Sequence, residues 1–192
     1  MQQPARQVSF LWTEAFTDSC MKPSDLKISV REMVLFSILG AMTFSAKYVM
    51  SFLPNVEPSS LMIMLFAVVF GKKWVYPTYL YVAMEILFYG INLWSINYLY
   101  IWAILAMAAY SLRNMRSALG WAMVSGIFGL FFGVLCGIVD VFIGGFHYAV
   151  SKWISGIPFD LAHCAGNAAL NFVLLLPLSD LVENIRSKQP QP

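Results

Sequence analysis

The chain has 192 residues, of which 59% are hydrophobic and only 11% are charged. An ordinary soluble domain is about a quarter charged, so this composition excludes a soluble globular domain and indicates an integral membrane protein. The net charge of +2 is uninformative by itself, and we expect no nucleic-acid partner. Cys20, Cys136 and Cys164 are scattered without a CxxC pair, so neither a disulfide framework nor a metal site is expected.

Clusters of basic residues separate the apolar stretches. Charge-free stretches include 33–46, 58–71, 86–112, 117–139 and 161–179. A bilayer core about 30 Å thick takes about 20 helical residues, so several of these stretches can span it. The basic clusters are Lys22, Lys27 and Arg31; Lys72 and Lys73; Arg113 and Arg116; and Arg186 and Lys188. If spans alternate between them, all four lie on the cytoplasmic side by the positive-inside rule. We therefore predict an all-α integral membrane protein, with six transmembrane helices in one bundle and both termini cytoplasmic.

In chain order, we predict a cytoplasmic lead-in (1–27), the six-helix transmembrane domain (28–183) and a cytoplasmic tail (184–192). The spans are expected at about 28–50, 59–70, 74–89, 99–112, 118–143 and 159–182. The second is short, because about 12 helical residues reach only about 18 Å. The loop "SFLPNVEPSS" follows the first span and carries Asn55 and Glu57. The longest outer connector is "GGFHYAVSKWISGIP", residues 144–158.

Small residues recur every four positions on two predicted spans. They are Ser37, Ala41 and Ser45 on the first, and Ser125, Gly129, Gly133 and Gly137 on the fifth. This spacing lets helix backbones approach closely. We expect packing within the bundle for the fifth span, whereas the first-span face is open to contact with another subunit.

Polar residues gather on the outer halves of three spans. The sixth carries His163, Asn167 and Asn171 on one face with Asp160 one turn earlier; the third carries Glu85 and Tyr89, with Asn92 just beyond; the fifth carries Asp140. Such side chains normally face the bundle interior or a water-filled cavity. For the sixth-span face we expect a ligand pocket rather than hydrogen bonds that only join helices. For Glu85 and Asp140, a structural ion pair, with Lys47 as the candidate partner, stands beside a role in the site.

Aromatic residues lie near the same outer regions, and some of them are expected to form an interfacial belt. A pocket with aromatic walls and a few polar groups is typical of a small-molecule site. The candidate substrate-binding residues are Asn55, Glu57, Glu85, Tyr89, Asn92, Trp94, Tyr98, Asp140, His147, His163, Asn167 and Asn171. No nucleotide-binding glycine loop, GxSxG or HExxH motif is present. We therefore expect neither an enzyme nor a cofactor, and any uphill transport must draw its energy from another subunit.

The segments "LFSILGAMTFSAKYVMSFLPNVEPSSLMIMLFAVVFGKKWVYPTYLYVAMEILFYG" and "NLWSINYLYIW" resemble the substrate-binding S components of energy-coupling factor (ECF) transporters. Those are bacterial ABC-type importers of vitamins and related micronutrients, and the likeness covers about residues 29–186. It implies a multi-pass protein of the bacterial cell membrane, with six helices and an outer binding site capped by the loop that holds Asn55 and Glu57. It also implies docking on a transmembrane coupling protein that carries two ATPase subunits. Family members offer an AxxxA pattern to that protein; here Ala41 matches, and Ser37 and Ser45 flank it.

The outer half carries four carboxylates (Glu57, Glu85, Asp140 and Asp160) against Lys47 and Lys152. We therefore expect a neutral or cationic solute, and the aromatic walls favour a flat heterocycle. Among ECF cargoes this indicates a pyridoxine-like or pyrimidine/thiamine-like compound or a queuosine precursor, with cobalamin still open. The alternative is a helical membrane scaffold or assembly protein without a solute of its own.

Overall fold

The computed structural model describes residues 26–51 and 58–188, and within these ranges the chain is almost entirely helical, without strands. The elements are α1 (Val30–Val49), α2 (Pro58–Phe70), a 3-10 turn (Gly71–Trp74), α3 (Val75–Tyr89), α4 (Leu93–Ser111), α5 (Ala118–Leu130) and α6 (Phe132–Ser187). In this part of the chain four helical stretches are long and apolar enough to cross a membrane: Val30–Val49, Pro58–Tyr89, Leu93–Ser111 and Ala118–Ser187. The described part of the protein is thus all-helical, and the chain has the composition of a membrane protein.

Two of the helices begin at a capping box, in which the cap residue and the residue three positions later exchange side-chain and backbone hydrogen bonds. The Ser29 hydroxyl accepts from the Glu32 amide at 3.2 Å, and the Glu32 carboxylate accepts from the Ser29 amide at 2.9 Å. At the start of α4, Asn92 and Ser95 exchange the same pair of bonds. Each cap satisfies backbone donors that the first turn of a helix leaves unpaired.

The apolar stretch from α2 to α3 folds back on itself. The Tyr81 hydroxyl lies 3.3 Å from the Ser59 hydroxyl in the buried interior, although 22 residues of continuous helix would separate them by about 33 Å. The reversal occurs in the 3-10 turn, where Gly71 has a φ of 57°, which glycine adopts at little cost.

A second hairpin lies within α6. Gly145 has non-helical angles (φ 79°, ψ 175°) and divides the helix into arms of residues 132–144 and 146–187. The arms are antiparallel, because Asp140 pairs with Lys152 and, farther from the turn, Gly133 pairs with Asp160. The prediction of a long connector at 144–158 is therefore wrong. One glycine makes the turn, and the second arm is helical from residue 146 onward with Pro158 inside it.

Helices α5 and α6 are separated only at Phe131. The Phe131 amide donates to the Ile127 carbonyl and the Leu135 amide donates to the Phe131 carbonyl, both at 3.0 Å. The helical hydrogen-bond pattern therefore continues through this point, and α5 runs into the first arm of α6 as one rod, much as the predicted span at 118–143.

The short helix α2 lies at the centre of the fold. Nine of its 13 residues are buried, and Ile63, Met64 and Phe66 have no exposed surface. At about 20 Å it is shorter than a bilayer core. A helix surrounded by other helices has little contact with lipid, so its length need not match the bilayer.

The described residues of the basic clusters lie at one end of the molecule. Lys73 contacts Glu32 at 2.6 Å, and Arg186 donates to the Val69 carbonyl at 2.6 Å. At the same end of the α5–α6 hairpin, Arg116 contacts Asp180 at 2.9 Å. Large apolar side chains elsewhere are exposed, including Leu87 at 85% and Phe142 at 87%, as expected for a surface that faces lipid.

Candidate functional site

A cavity of about 710 Å³ opens at the end of the molecule opposite the basic clusters. It is formed by the last turns of α1 and α3, the first turns of α4 and both arms of α6. Seven of the predicted substrate-binding residues line it: Glu85, Tyr89, Asn92, Trp94, Tyr98, Asp140 and His163. The helices thus bring together residues that are up to 78 positions apart between Glu85 and His163.

One wall of the cavity is built around Lys47. Its ammonium group lies 3.1 Å from Glu85 Oε2 and donates to the Tyr98 hydroxyl at 2.8 Å. The Tyr98 ring in turn packs edge-on against Trp102, with ring centroids 5.2 Å apart. These contacts join α1, α3 and α4, so the ion pair that the sequence left as one of two interpretations is present and holds this wall together.

The opposite wall contains a second ion pair. Lys152 Nζ lies 2.6 Å from Asp140 Oδ1 and bridges the two arms of α6 near the Gly145 turn. The Asp140 side chain is 5% exposed and that of Lys152 is 43% exposed. Each lysine that lines the cavity therefore already holds one carboxylate, and Asp160 is the lining carboxylate without a lysine partner among the described residues.

Asp160 and His163 lie one turn apart on the second arm of α6 and line the cavity. Asp160 is 6% exposed and His163 is 4% exposed. Asp160 Oδ1 accepts from the Gly133 amide at 3.0 Å. Among the described residues, Asp160 Oδ2 and His163 Nε2 have no hydrogen-bond partner, and the same is true of Glu85 Oε1. The His163 ring packs edge-on against Phe132, with ring centroids 4.8 Å apart, so the imidazole lies beside an aromatic surface.

Gly133 makes room for this arrangement. A Cβ built at Gly133 would overlap the Asp160 carboxylate. Gly129, one turn away, touches the backbone of the other arm, where an added Cβ would lie 2.8 Å from the His163 carbonyl. The prediction that this small-residue face packs within the bundle is confirmed for Gly129 and Gly133. Gly137 differs, because no atom lies within 4 Å of its Cβ position.

Asn167 and Asn171 do not line the cavity; they are fully buried between helices. The Ser125 hydroxyl donates to the Asn167 carbonyl at 3.1 Å, and Asn167 Nδ2 donates to the Ser125 carbonyl at 3.4 Å. Asn171 Nδ2 donates to the Asn167 carbonyl at 2.9 Å. The Ser125–Asn167 bonds join α5 to α6, which was the alternative to a pocket, whereas the Asn171 bond lies within α6. His163 on the same face reaches the cavity.

Other predicted residues are placed differently. His147 is exposed beside the Phe146 ring and does not line the cavity. Asn92 lines it, but its side-chain oxygen caps α4. Asn55 and Glu57 lie outside the described residues. Away from the cavity, Ser37 and Ser45 are exposed on α1 and Ala41 is partly exposed.

Sequence reasoning did not assign several lining residues to the site, among them Phe132, Gly133, Cys136 and Phe159. A signal for two of them was present. Cys136 and Gly133 precede Asp140 by one and two helical turns and therefore share its face. No comparable polar signal marks Phe132 or Phe159, because an aromatic residue in an apolar helix is as consistent with lipid contact as with a cavity wall.

Comparisons of the chain with family models, curated proteins and solved structures gave no match. The chemistry of the site therefore rests on its own residues. Among the described residues no group of three His, Cys, Asp or Glu side chains could hold a metal ion. The arrangement is an aromatic cavity with two internal ion pairs and a few unpartnered buried polar atoms, which suits the reversible binding of a small molecule.

Proposed function

We propose that the chain is the solute-binding S component of an ECF-type importer, a multi-pass protein of a bacterial cell membrane. The observation that carries the proposal is the cavity of about 710 Å³ at the end opposite the basic clusters. If the basic end is cytoplasmic, as the positive-inside rule expects, the cavity opens to the outside. If each of the two helical hairpins crosses the membrane twice, the chain has six spans and both termini are cytoplasmic.

The size and lining of the cavity support a vitamin-like heterocycle as the solute. Small-molecule sites commonly measure about 300–1,000 Å³ and combine apolar walls with a few polar groups that fix orientation. Here Trp94, Trp153, Phe132 and Phe159 supply aromatic surface.

The exposed face of α1 supports a docking partner. Ser37, Ala41 and Ser45 follow one another at four-residue spacing and point away from the bundle core. Gly40 instead packs against α3, where an added Cβ would lie 2.8 Å from the Leu80 side chain. We assign the outward face to a transmembrane coupling protein, which joins the chain to two ATPase subunits.

Thermal unfolding of the purified chain with a panel of B vitamins and related heterocycles tests solute binding. A solute that binds only the native state stabilises it by about 2.7 kcal/mol at 100 times its Kd. Gly156→Leu should abolish this stabilisation, because Gly156 lines the cavity and has open space at its Cβ position. Gly137→Leu is the matched control, since it also has open space but does not line the cavity.

Stabilisation by no member of the panel would favour the scaffold alternative, for which the Ser125–Asn167 bonds are the supporting observation. If a solute still raises the thermal stability of Gly156→Leu, the solute binds outside this cavity. Proteoliposomes test whether binding and energy supply belong to different subunits. The chain alone should bind solute without ATP-dependent accumulation. In the full complex, Ala41→Trp should reduce transport more than it reduces solute binding. Accumulation driven by ATP without other subunits would contradict the proposal.

A further inference from the structure

The charged residues of the cavity do not balance. Among the described residues, three carboxylates and two lysines line it: Glu85, Asp140 and Asp160 against Lys47 and Lys152. Lys47 holds Glu85 and Lys152 holds Asp140. Asp160 has no basic partner among the described residues, and its one hydrogen bond comes from the Gly133 amide.

An ionised carboxylate at the buried position of Asp160 has a high desolvation cost. Asp160 is 6% exposed and its Oδ2 atom is buried without a partner in the described part of the chain. Burial of an unpaired ionised group is strongly unfavourable, and an N–H group that bonds to it recovers much of that cost. Because Gly133 has no side chain, the Asp160 carboxylate can occupy the space beside it. The location of this carboxylate is therefore fixed by the packing of the two arms of α6.

His163 supplies a second unpartnered atom on the same side of the same arm. Its Nε2 atom is buried one turn from Asp160, and its ring packs against Phe132. A ligand that reaches both residues needs at least one N–H donor for the carboxylate, a further polar atom for the imidazole, and a flat apolar body for the aromatic walls.

We propose that Asp160 selects the charge of the solute by accepting an N–H from a planar cation, such as an amidinium or a protonated amino-substituted heterocycle, while His163 contacts a second polar atom of the same ring system. This inference rests on the proposed function, because it takes the cavity as the solute site. It narrows the solute from any vitamin-like heterocycle to one with a cationic N–H edge. The two ion pairs shape the walls, and Asp160 gives the preference.

Three planar probes of nearly the same shape test the inference: benzamidine (cation), benzamide (neutral) and benzoate (anion). Their Kd values for the purified full chain can be measured by ligand-observed NMR titration. Because a hydrogen bond to a charged group is the strong kind, we expect benzamidine to bind about 10- to 100-fold more tightly than benzamide, and benzoate to bind weakest. Asp160→Asn should remove this preference. Asp180→Asn, at the opposite end of the molecule, is the matched control and should retain it.

Equal binding of benzamidine and benzamide, or a benzamidine preference that persists in Asp160→Asn, would overturn the inference. Binding of none of the three probes would overturn it as well. If a panel solute still stabilises the chain and Gly156→Leu blocks that effect, the proposed function stands while the role of Asp160 falls. If Asp160→Asn fails to fold, the relative Kd values of the three probes for the unaltered chain still test whether the cavity prefers a planar cation.

Discussion

Replacement of Gly129 by alanine should loosen the packing of α5 against the second arm of α6, which lines one wall of the cavity. The new Cβ would lie 2.8 Å from the Cys164 amide nitrogen and from the carbonyl carbon and oxygen of His163. These distances are about 0.6 Å below the 3.4 Å at which ordinary van der Waals contact begins. All three atoms belong to the backbone, so no side chain can rotate away and the second arm of α6 must move.

The cost can be separated from the helix propensity of alanine by a matched variant. Gly137 lies on the same face, within α6, and has no atom within 4 Å of its Cβ position. Alanine gains about 1 kcal/mol over glycine in a helix at either position, whereas overpacking costs about 1–3 kcal/mol only at Gly129. Gly129→Ala should therefore be less stable than Gly137→Ala by about 1–3 kcal/mol. For a chain of this length the difference corresponds to a Tm lower by about 2–12 °C.

Thermal unfolding in detergent measures the difference, and solute titration of the same samples adds a functional readout. Because the contact is with the His163 backbone, a displaced arm also moves the His163 side chain in the cavity wall. Gly129→Ala should thus weaken solute binding while Gly137→Ala leaves it unchanged. Equal Tm values for the two variants would refute the reasoning, since they would mean that the two arms do not approach closely at Gly129.

Three further predictions concern charged residues. Lys152→Met should destabilise the fold by about 1–3 kcal/mol, and by more than Asp140→Asn, because Asp140 is the buried partner. Chemical unfolding measures both variants, and the reverse order would contradict the packing of that wall. In a variant without native cysteines, an impermeant reagent outside the cell should label a cysteine at Lys152 but not one at Lys73, and the opposite pattern would exclude the proposed orientation. Arg116→Gln should change the free energy of unfolding by less than about 1 kcal/mol, since its pair with Asp180 is solvent-exposed. A clearly larger loss in the same unfolding assay would contradict the exposed position of this pair.

The all-helical, membrane-compatible character of the chain and several residues of the cavity lining could be predicted, because the chain is strongly apolar and polar residues are conspicuous in it. Glu85, Asp140 and His163 stood out for this reason, and helical spacing placed their neighbours on the same faces. The same signal also selected Asn167 and Asn171, which lie outside the cavity lining. Residue spacing shows which face of a helix a residue occupies. It does not show where along that face the cavity ends and contact with a neighbouring helix begins, because this depends on the neighbouring helix. Here the partner is Ser125, which lies 42 positions from Asn167.

The connector at 144–158 shows a different limit. Residues 144–158 were predicted to form the longest outer connector, yet the structure uses only Gly145 for the turn. Local composition measures the tendency of each residue, whereas the interactions that keep residues 146–158 helical, such as the Lys152–Asp140 pair, come from the opposite arm. Tertiary contacts of this kind cannot be read from the propensity of the segment alone.

The arrangement of α1 links the two surfaces that the proposed function requires. Its exposed face carries Ser37, Ala41 and Ser45, and its last turn carries Lys47, whose ammonium group bonds to Glu85 and Tyr98 in the cavity wall. Gly40 sets the distance between α1 and α3 by close contact. A partner that shifted α1 along α3 would therefore have to stretch the Lys47–Glu85 pair or carry Glu85 with it. Either change would alter the cavity, so the proposed function predicts that docking on the exposed face of α1 affects how tightly a solute is held at the end of α1.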